Sequence, residues 1–315
     1  MFNLLIPLLA VVAVMIAGAA SSRLLPGWLE RFLNQYVYYL AFPAILYVSL
    51  AKTPIEQILN PGFVLGYLLA MVVTYVLVQL WSLKHEQGQP RPASLRALSA
   101  TFGNTAFIGI PVLAMLFPDN PQALMAAALA SLLSVLMFAV TVVQLRLASQ
   151  PLTGIARLSL ALRVVSRNPV VIGCALGVLA SAMQFSLPPI LEPLVTWIGK
   201  SSSPCALFAI GIALARSMRE PEHSRVGVPF WHVNLAKLAL QPLLVWLLFS
   251  WFGVDTQLTV MGVLLSAMPT AASVYLLAYQ DKTLEKQIAR GIVAGTLLTL
   301  FSLPLLTMGL NLITQ

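Results

Sequence analysis

Apolar runs of roughly 20 residues alternate with short polar turns along the whole chain. Ten such segments can be drawn, at about 2–20, 31–51, 61–83, 95–116, 121–147, 168–185, 189–215, 230–252, 257–280 and 288–311. A helix rises about 1.5 Å per residue, so each run can cross a hydrocarbon core of about 30 Å. Strands of a membrane barrel would instead be about ten residues long with strict alternation. The separators are turn material, such as Pro26-Gly27, Asn60-Pro61-Gly62 and Pro118-Asp119-Asn120-Pro121. The first run lacks a basic leader and is read as a membrane helix rather than a signal peptide. The pattern predicts an all-α polytopic membrane protein with ten transmembrane helices.

Charge gives the helices a direction. Of 18 basic residues, 15 flank or fill the loops that follow the odd-numbered segments, from Arg23 and Arg31 through Arg91, Arg96, Arg146 and Arg216 to Lys282 and Arg290. The opposite loops keep only Lys52 and Lys200, and Lys237 lies inside the eighth segment. Lys and Arg concentrate on the cytoplasmic side. The expected placement is therefore a cell inner membrane, multi-pass, with both termini on the outer, periplasmic side.

A basic connector at 148–167 divides the chain into 1–147 and 168–315, with five segments each. It reads equally as a short interfacial helix or a plain loop. Because five is odd, the second half is expected to be inverted relative to the first. Secondary transporters built this way bind substrate at the midplane, between the repeats. The fourth segment of each half carries an interruption: Thr101–Pro111 reads TFGNTAFIGIP, and Ser266–Tyr275 reads SAMPTAASVY. Aligning them sets Gly103 against Pro269 and Asn104 against Thr270. Gly103 lies about 12 Å along its helix and Pro269 about 18 Å along its own, entered from opposite faces, so both fall near the centre of the core.

Glycine and proline both weaken a helix there, and the freed backbone groups need partners. Asn104, Thr105, Thr270 and Ser273 supply neutral donors and acceptors beside Gly103 and Pro269. With the amino ends of the second half-helices, they form the expected substrate site, suited to an anion. Close helix packing is the simpler reading of small residues at one such break, and two matching breaks weaken it. Lys237 either snorkels to the headgroups or attracts an anion and steadies the ninth segment. Pro43, Pro111 and Pro242 are read as kinks or packing residues.

Composition narrows the chemistry. The chain is 59% hydrophobic and only 9% charged, with a mean hydropathy of +0.89, which excludes a soluble domain. All ten acidic residues fall in loops or at segment ends, so no carboxylate-based ion site is expected in mid-membrane. Cys174 and Cys205 are read as buried hydrophobes, and no spacing suits a metal, a cofactor or a catalytic constellation. Dispersed basic residues argue against nucleic acid. The expected activity is transport of a small organic anion through the bilayer, without catalysis. A passive channel and a ligand-binding membrane sensor remain the alternatives.

The run Gly103–Pro111 (GNTAFIGIP) resembles the GNT-x-x-x-GIP signature of the auxin efflux carrier family, prokaryotic branch. YYLAFPAIL (Tyr38–Leu46), NPVVIGCALG (Asn168–Gly177), PCALFAIGIALA (Pro204–Ala215), KLALQPLL (Lys237–Leu244) and AMPTAASVYLLA (Ala267–Ala278) are similar to that family in the same order. The resemblance implies two inverted five-helix repeats, a fold shared with bile acid:sodium symporters, with helices 4 and 9 crossing at the midplane. It also implies a scaffold of helices 1, 2, 6 and 7 and a transport unit of helices 3–5 and 8–10. Family substrates are auxin in plants and carboxylates such as malate or malonate in bacteria. A homodimer through the scaffold helices is a candidate assembly. Plant carriers place Pro before the helix 4 Asn, where this chain has Gly103.

Overall fold

A computed structural model describes residues 2–52, 61–85, 88–109, 112–113, 116–117, 120–148, 155–156, 159, 162–163, 166–167, 169–217 and 230–314. These residues are almost entirely helical, and their one β-bridge joins Gly103 to Thr270. The helices are α1 (Phe2–Ser21), α2 (Gly27–Tyr36), α3 (Phe42–Ala51), α4 (Pro61–His85), α5 (Pro90–Thr101), α6 (Pro121–Leu147) and α7 (Pro169–Ala182). They continue as α8 (Leu191–Lys200), α9 (Ser202–Ser217), α10 (Trp231–Leu235), α11 (Gln241–Trp251), α12 (Thr256–Ser266), α13 (Ala272–Asp281) and α14 (Glu285–Thr314). Four stretches among the described residues are long and apolar enough to cross a membrane: Pro61–His85, Met125–Leu147, Trp231–Trp251 and Glu285–Leu310.

Local chemistry sets the helix ends. Proline, which needs no N–H donor, opens α4, α5, α6 and α7. Asn120 caps α6 by accepting from Gln122 N at 2.9 Å, and Asp255 caps α12 by accepting from Gln257 N at 2.9 Å. Wide π-turns at Val37–Ala41 and Ala236–Leu240 join α2 to α3 and α10 to α11. Each lies just before a proline, Pro43 or Pro242, and contains the residue four back, Tyr39 or Leu238, whose carbonyl that ring would strike in a regular helix. The wider turn makes room for the ring and keeps the helix nearly continuous. The seventh segment is interrupted at Ser201, between α8 and α9. Pro111, and most of the 148–167 connector with its two alternative readings, lie outside the described residues.

Packing follows the glycines and aromatic rings. α1 lies along α9, α3 on α7 and α8, α4 against α5 and α11, and α6 against α5 and α12. The α1/α9 contact is backbone to backbone, because a Cβ on Gly211 would stand 2.1 Å from Met15 O and one on Gly18 2.2 Å from Phe208 O. Gly211→Ala is expected to push these helices apart and to destabilise the purified protein by about 1–3 kcal/mol. The check is its melting temperature in detergent. An unchanged value would mean that α1 and α9 are not held by this contact.

Ion pairs gather several helix ends at one end of the bundle. Arg216 Nη1 binds Glu30 Oε2 at 2.8 Å, and Arg91 Nη2 binds Asp281 Oδ1 at 3.0 Å. Arg96 belongs to α5 rather than to a loop. It is fully buried over the Phe230 ring and donates to Gln287 Oε1 at 2.8 Å. Lys52 and Glu192, 2.7 Å apart, join α3 to α8 at the other end.

Candidate functional site

The fourth and ninth segments are both interrupted at their centres, and the interruptions cross. α5 ends at Thr101, Phe102 turns extended, and a π-turn resumes at Thr105–Gly109. α12 ends at Ser266, and α13 starts at Ala272. Between them, Asn104 N donates to Pro269 O at 2.8 Å and Ala271 N donates to Phe102 O at 3.0 Å. Two extended strips thereby satisfy each other's backbone groups where no helix can do so.

These two bonds exchange with one another when Gly103 is matched to Thr270. The sequence alignment of Gly103 with Pro269 is therefore one residue out of step with the crossing. Small residues align in several registers, and only the hydrogen bonds choose among them. In the corrected register Ser99 matches Ser266, and each lies in the last turn of its half-helix with a carbonyl in need of a donor. Thr270 Oγ1 donates to Ser99 O at 2.7 Å. The symmetric donor would come from position 103, which is glycine. Lys237 fills that role, its Nζ donating to Ser266 O and, at 2.7 Å, to Gln241 Oε1. A Cβ on Gly103 would lie 3.1 Å from Lys237 Nζ. The Lys237 amine thus stands where the missing side chain would be.

Lys237 is 1% exposed, and its amine lies inside the bundle rather than on its outer surface. It points inward from the π-turn, and Gln241 Nε2 extends the support to Thr101 O at 3.3 Å. One lysine and one glutamine thus satisfy carbonyls at the carboxyl ends of both α12 and α5. The Lys237–Gln241 pair was the signal available in the sequence: two polar residues four apart in an apolar run share a helix face.

Beside the crossing lies a cavity of about 20 Å³, between Phe42 and Leu46 of α3, Ala206 of α9 and the interrupted strips. Gly103, Asn104, Thr105 and Ser273 all line it. Pro269 and Thr270 do not; they hold the crossing, and the Thr270 proton is committed to Ser99. Thr105 Oγ1 meets Ser131 Oγ at 2.8 Å, and Ser131 gives its own proton to Ala127 O, so Thr105 is the donor. Ser131, on α6, also lines the cavity; it carries no helix-breaking signature and the sequence did not single it out.

Two polar atoms at this cavity have no hydrogen-bond partner: Asn104 Oδ1 and Ser273 Oγ, on residues 3% and 6% exposed. Leaving such an atom unpaired costs about 1–3 kcal/mol. Ser273 also sits in the first turn of α13, whose N-cap Ala271 offers no side-chain acceptor. Unpaired polar atoms beside an uncapped helix amino end make a place for a small polar or anionic ligand. The space holds little more than a water, so admitting a carboxylate requires the helices around it to separate. No group of metal-ligating side chains occurs among the described residues.

The chain matches the family described as "Membrane transport protein" over residues 3–155 and 155–307. It is similar to the "Putative malonate transporter" of Rhizobium meliloti (strain 1021), 27% identical over 288 residues, covering 90% of this chain and 88% of the relative. It is also similar to the "Uncharacterized transporter YfdV" of Escherichia coli (strain K12) and of Shigella flexneri. Each is 25% identical over 279 residues, covering 86% of both chains.

Proposed function

Since the chain belongs to the auxin efflux carrier family of membrane transport proteins, we propose that it carries a small organic anion of the malonate class by alternating access. The observation that carries this reading is the pair of unpartnered buried atoms, Asn104 Oδ1 and Ser273 Oγ, on two residues that line one cavity at the crossing of two interrupted helices. A carboxylate accepts from the Ser273 hydroxyl and from the Asn104 carboxamide, whose oxygen and nitrogen exchange places by a flip. The amino end of α13 adds its dipole. Thr105 and Gly103 complete the lining, Pro269 and Thr270 maintain the crossing, and the Lys237 amine lies close behind Gly103.

In this reading the chain spans an inner membrane ten times, as inverted halves 1–147 and 168–315 joined by 148–167, with both termini outside. The first, second, sixth and seventh spans form the scaffold, and the others form the moving unit. The packing of α1 on α9 and of α3 on α7 and α8 supports the first group. The packing of α4 and α6 around α5, α11 and α12 supports the second. The cavity lies at the boundary between the groups, where a relative slide would open it to either side.

Malonate, malate, acetate and indole-3-acetate should be tested for thermal stabilisation of the purified protein and for uptake into proteoliposomes. A ligand at 100 times its Kd stabilises by about 2.7 kcal/mol. Malonate or a close dicarboxylate is expected to raise the melting temperature and to show saturable uptake with counterflow. Conductance without saturation would instead indicate a channel. Absence of both stabilisation and flux for every carboxylate would sink the substrate class.

A further inference from the structure

A second cavity, of about 230 Å³, opens where α6 and α13 end, beside the turn at Val37–Ala41. Arg91, Arg146 and Lys282 line it, with Asp281 as its one carboxylate. Asp281 is already engaged, by Arg91 at 3.0 Å and by the Thr283 hydroxyl at 2.8 Å. The charge that faces the space is therefore positive, and its two exposed carriers are Arg146 and Lys282. Lys282 caps α13 with φ of 54°, a left-handed conformation that glycine adopts at lower cost. The chain places a cation there despite that cost.

This cavity adjoins the crossing. Val37 and Leu276 line the small central cavity, and their immediate neighbours Tyr38 and Leu277 line the larger one. Tyr38, 7% exposed and edge-on to Tyr39 at 5.0 Å, lines the larger space one residue along from Val37 of the smaller one. A path from the bundle end to Asn104 would run through the basic cavity first. Low-dielectric walls lined by one sign of charge concentrate counter-ions at such a mouth.

We propose that this cavity is a second anion site, a vestibule in which Arg146 and Lys282 hold a dicarboxylate dianion before it passes Tyr38 to the crossing. It rests on the organic-anion reading above. A dianion brings two negative charges to the two cations, whereas a monoanion brings one, so the vestibule favours dicarboxylates over monocarboxylates. Being at one end of the bundle, it acts on transport from that face alone. The positive-inside pattern makes that face cytoplasmic.

The test is the concentration dependence of malonate and acetate transport in proteoliposomes of phosphatidylcholine, measured separately from each face. Wild type is compared with Arg146→Gln, Lys282→Gln, the double variant, and Lys52→Gln as a charge-matched control at the other end. The double variant is expected to raise the malonate KM about tenfold or more from one face, with a much smaller change for acetate. That difference should shrink as ionic strength rises, and Lys52→Gln should match wild type. Equal KM changes from both faces, equal changes for malonate and acetate, or no change would overturn the vestibule. Repeating the series with phosphatidylglycerol present separates a lipid headgroup from the solute: an effect seen only then assigns the two cations to lipid and also overturns it. If wild type moves neither anion, the transport reading itself fails, an outcome distinct from normal flux with unshifted variants.

Discussion

Asn104→Ala abolishes malonate-class uptake in proteoliposomes while the protein still folds, with a melting temperature equal to or above that of wild type. The two halves of this expectation have one cause. In the ligand-free fold the Asn104 side-chain oxygen is buried without a partner, so removing it removes a cost of about 1–3 kcal/mol. With an anion bound, the carboxamide gains a charge-assisted hydrogen bond of about 1.5–3 kcal/mol, equivalent to roughly 10–150-fold in affinity. The backbone contacts of position 104 to Pro269 O and from Ile108 and Gly109 do not involve the side chain and survive the change. Loss of uptake together with a collapse in stability would make Asn104 a structural residue. Unchanged uptake would remove it from the site.

Gly103→Ala is expected to destabilise the protein by about 1–3 kcal/mol when Lys237 is present and to be neutral or mildly stabilising when Lys237 is alanine. The new Cβ would press on Lys237 Nζ at 3.1 Å and Cε at 3.3 Å. That side chain cannot withdraw, because it is tied to Ser266 O and Gln241 Oε1. Gly103 does not have a positive φ, so alanine meets no backbone strain there and lowers the entropy of the unfolded chain. A double-mutant cycle on melting free energies measures this coupling, which should exceed about 1 kcal/mol. An additive cycle would show that Lys237 and Gly103 are independent. The pairing of a glycine with a lysine donor behind it would then be without energetic content.

The sequence could announce the breaks because glycine and proline act on their own backbone. Gly103 and Pro269 weaken helices wherever the chain goes, and their places along the apolar runs follow from counting residues. Asn104, Thr105 and Ser273 stood out for the same reason, as polar groups beside a break in a segment that should be apolar, and all three line the cavity at the crossing. The prolines at 43 and 242 announced a disturbance, but not that it would take the form of a π-turn, since a kink and a widened turn both relieve the same clash.

The chain by itself therefore determined an all-helical, membrane-soluble body, the positions of its interruptions and the polar groups beside them. These follow from local propensity and hydropathy. Only the tertiary structure decided the register of the crossing and which donor answers each freed carbonyl: Thr270 for Ser99, 171 positions away, and Lys237 for Ser266, 29 positions away. It also decided that Asn104 and Ser273 would be left unpaired at a shared cavity while Thr105 found Ser131. Hydrogen-bond partners distant in sequence depend on how helices pack, and many registers bury the same small residues equally well. Local patterning cannot tell those registers apart.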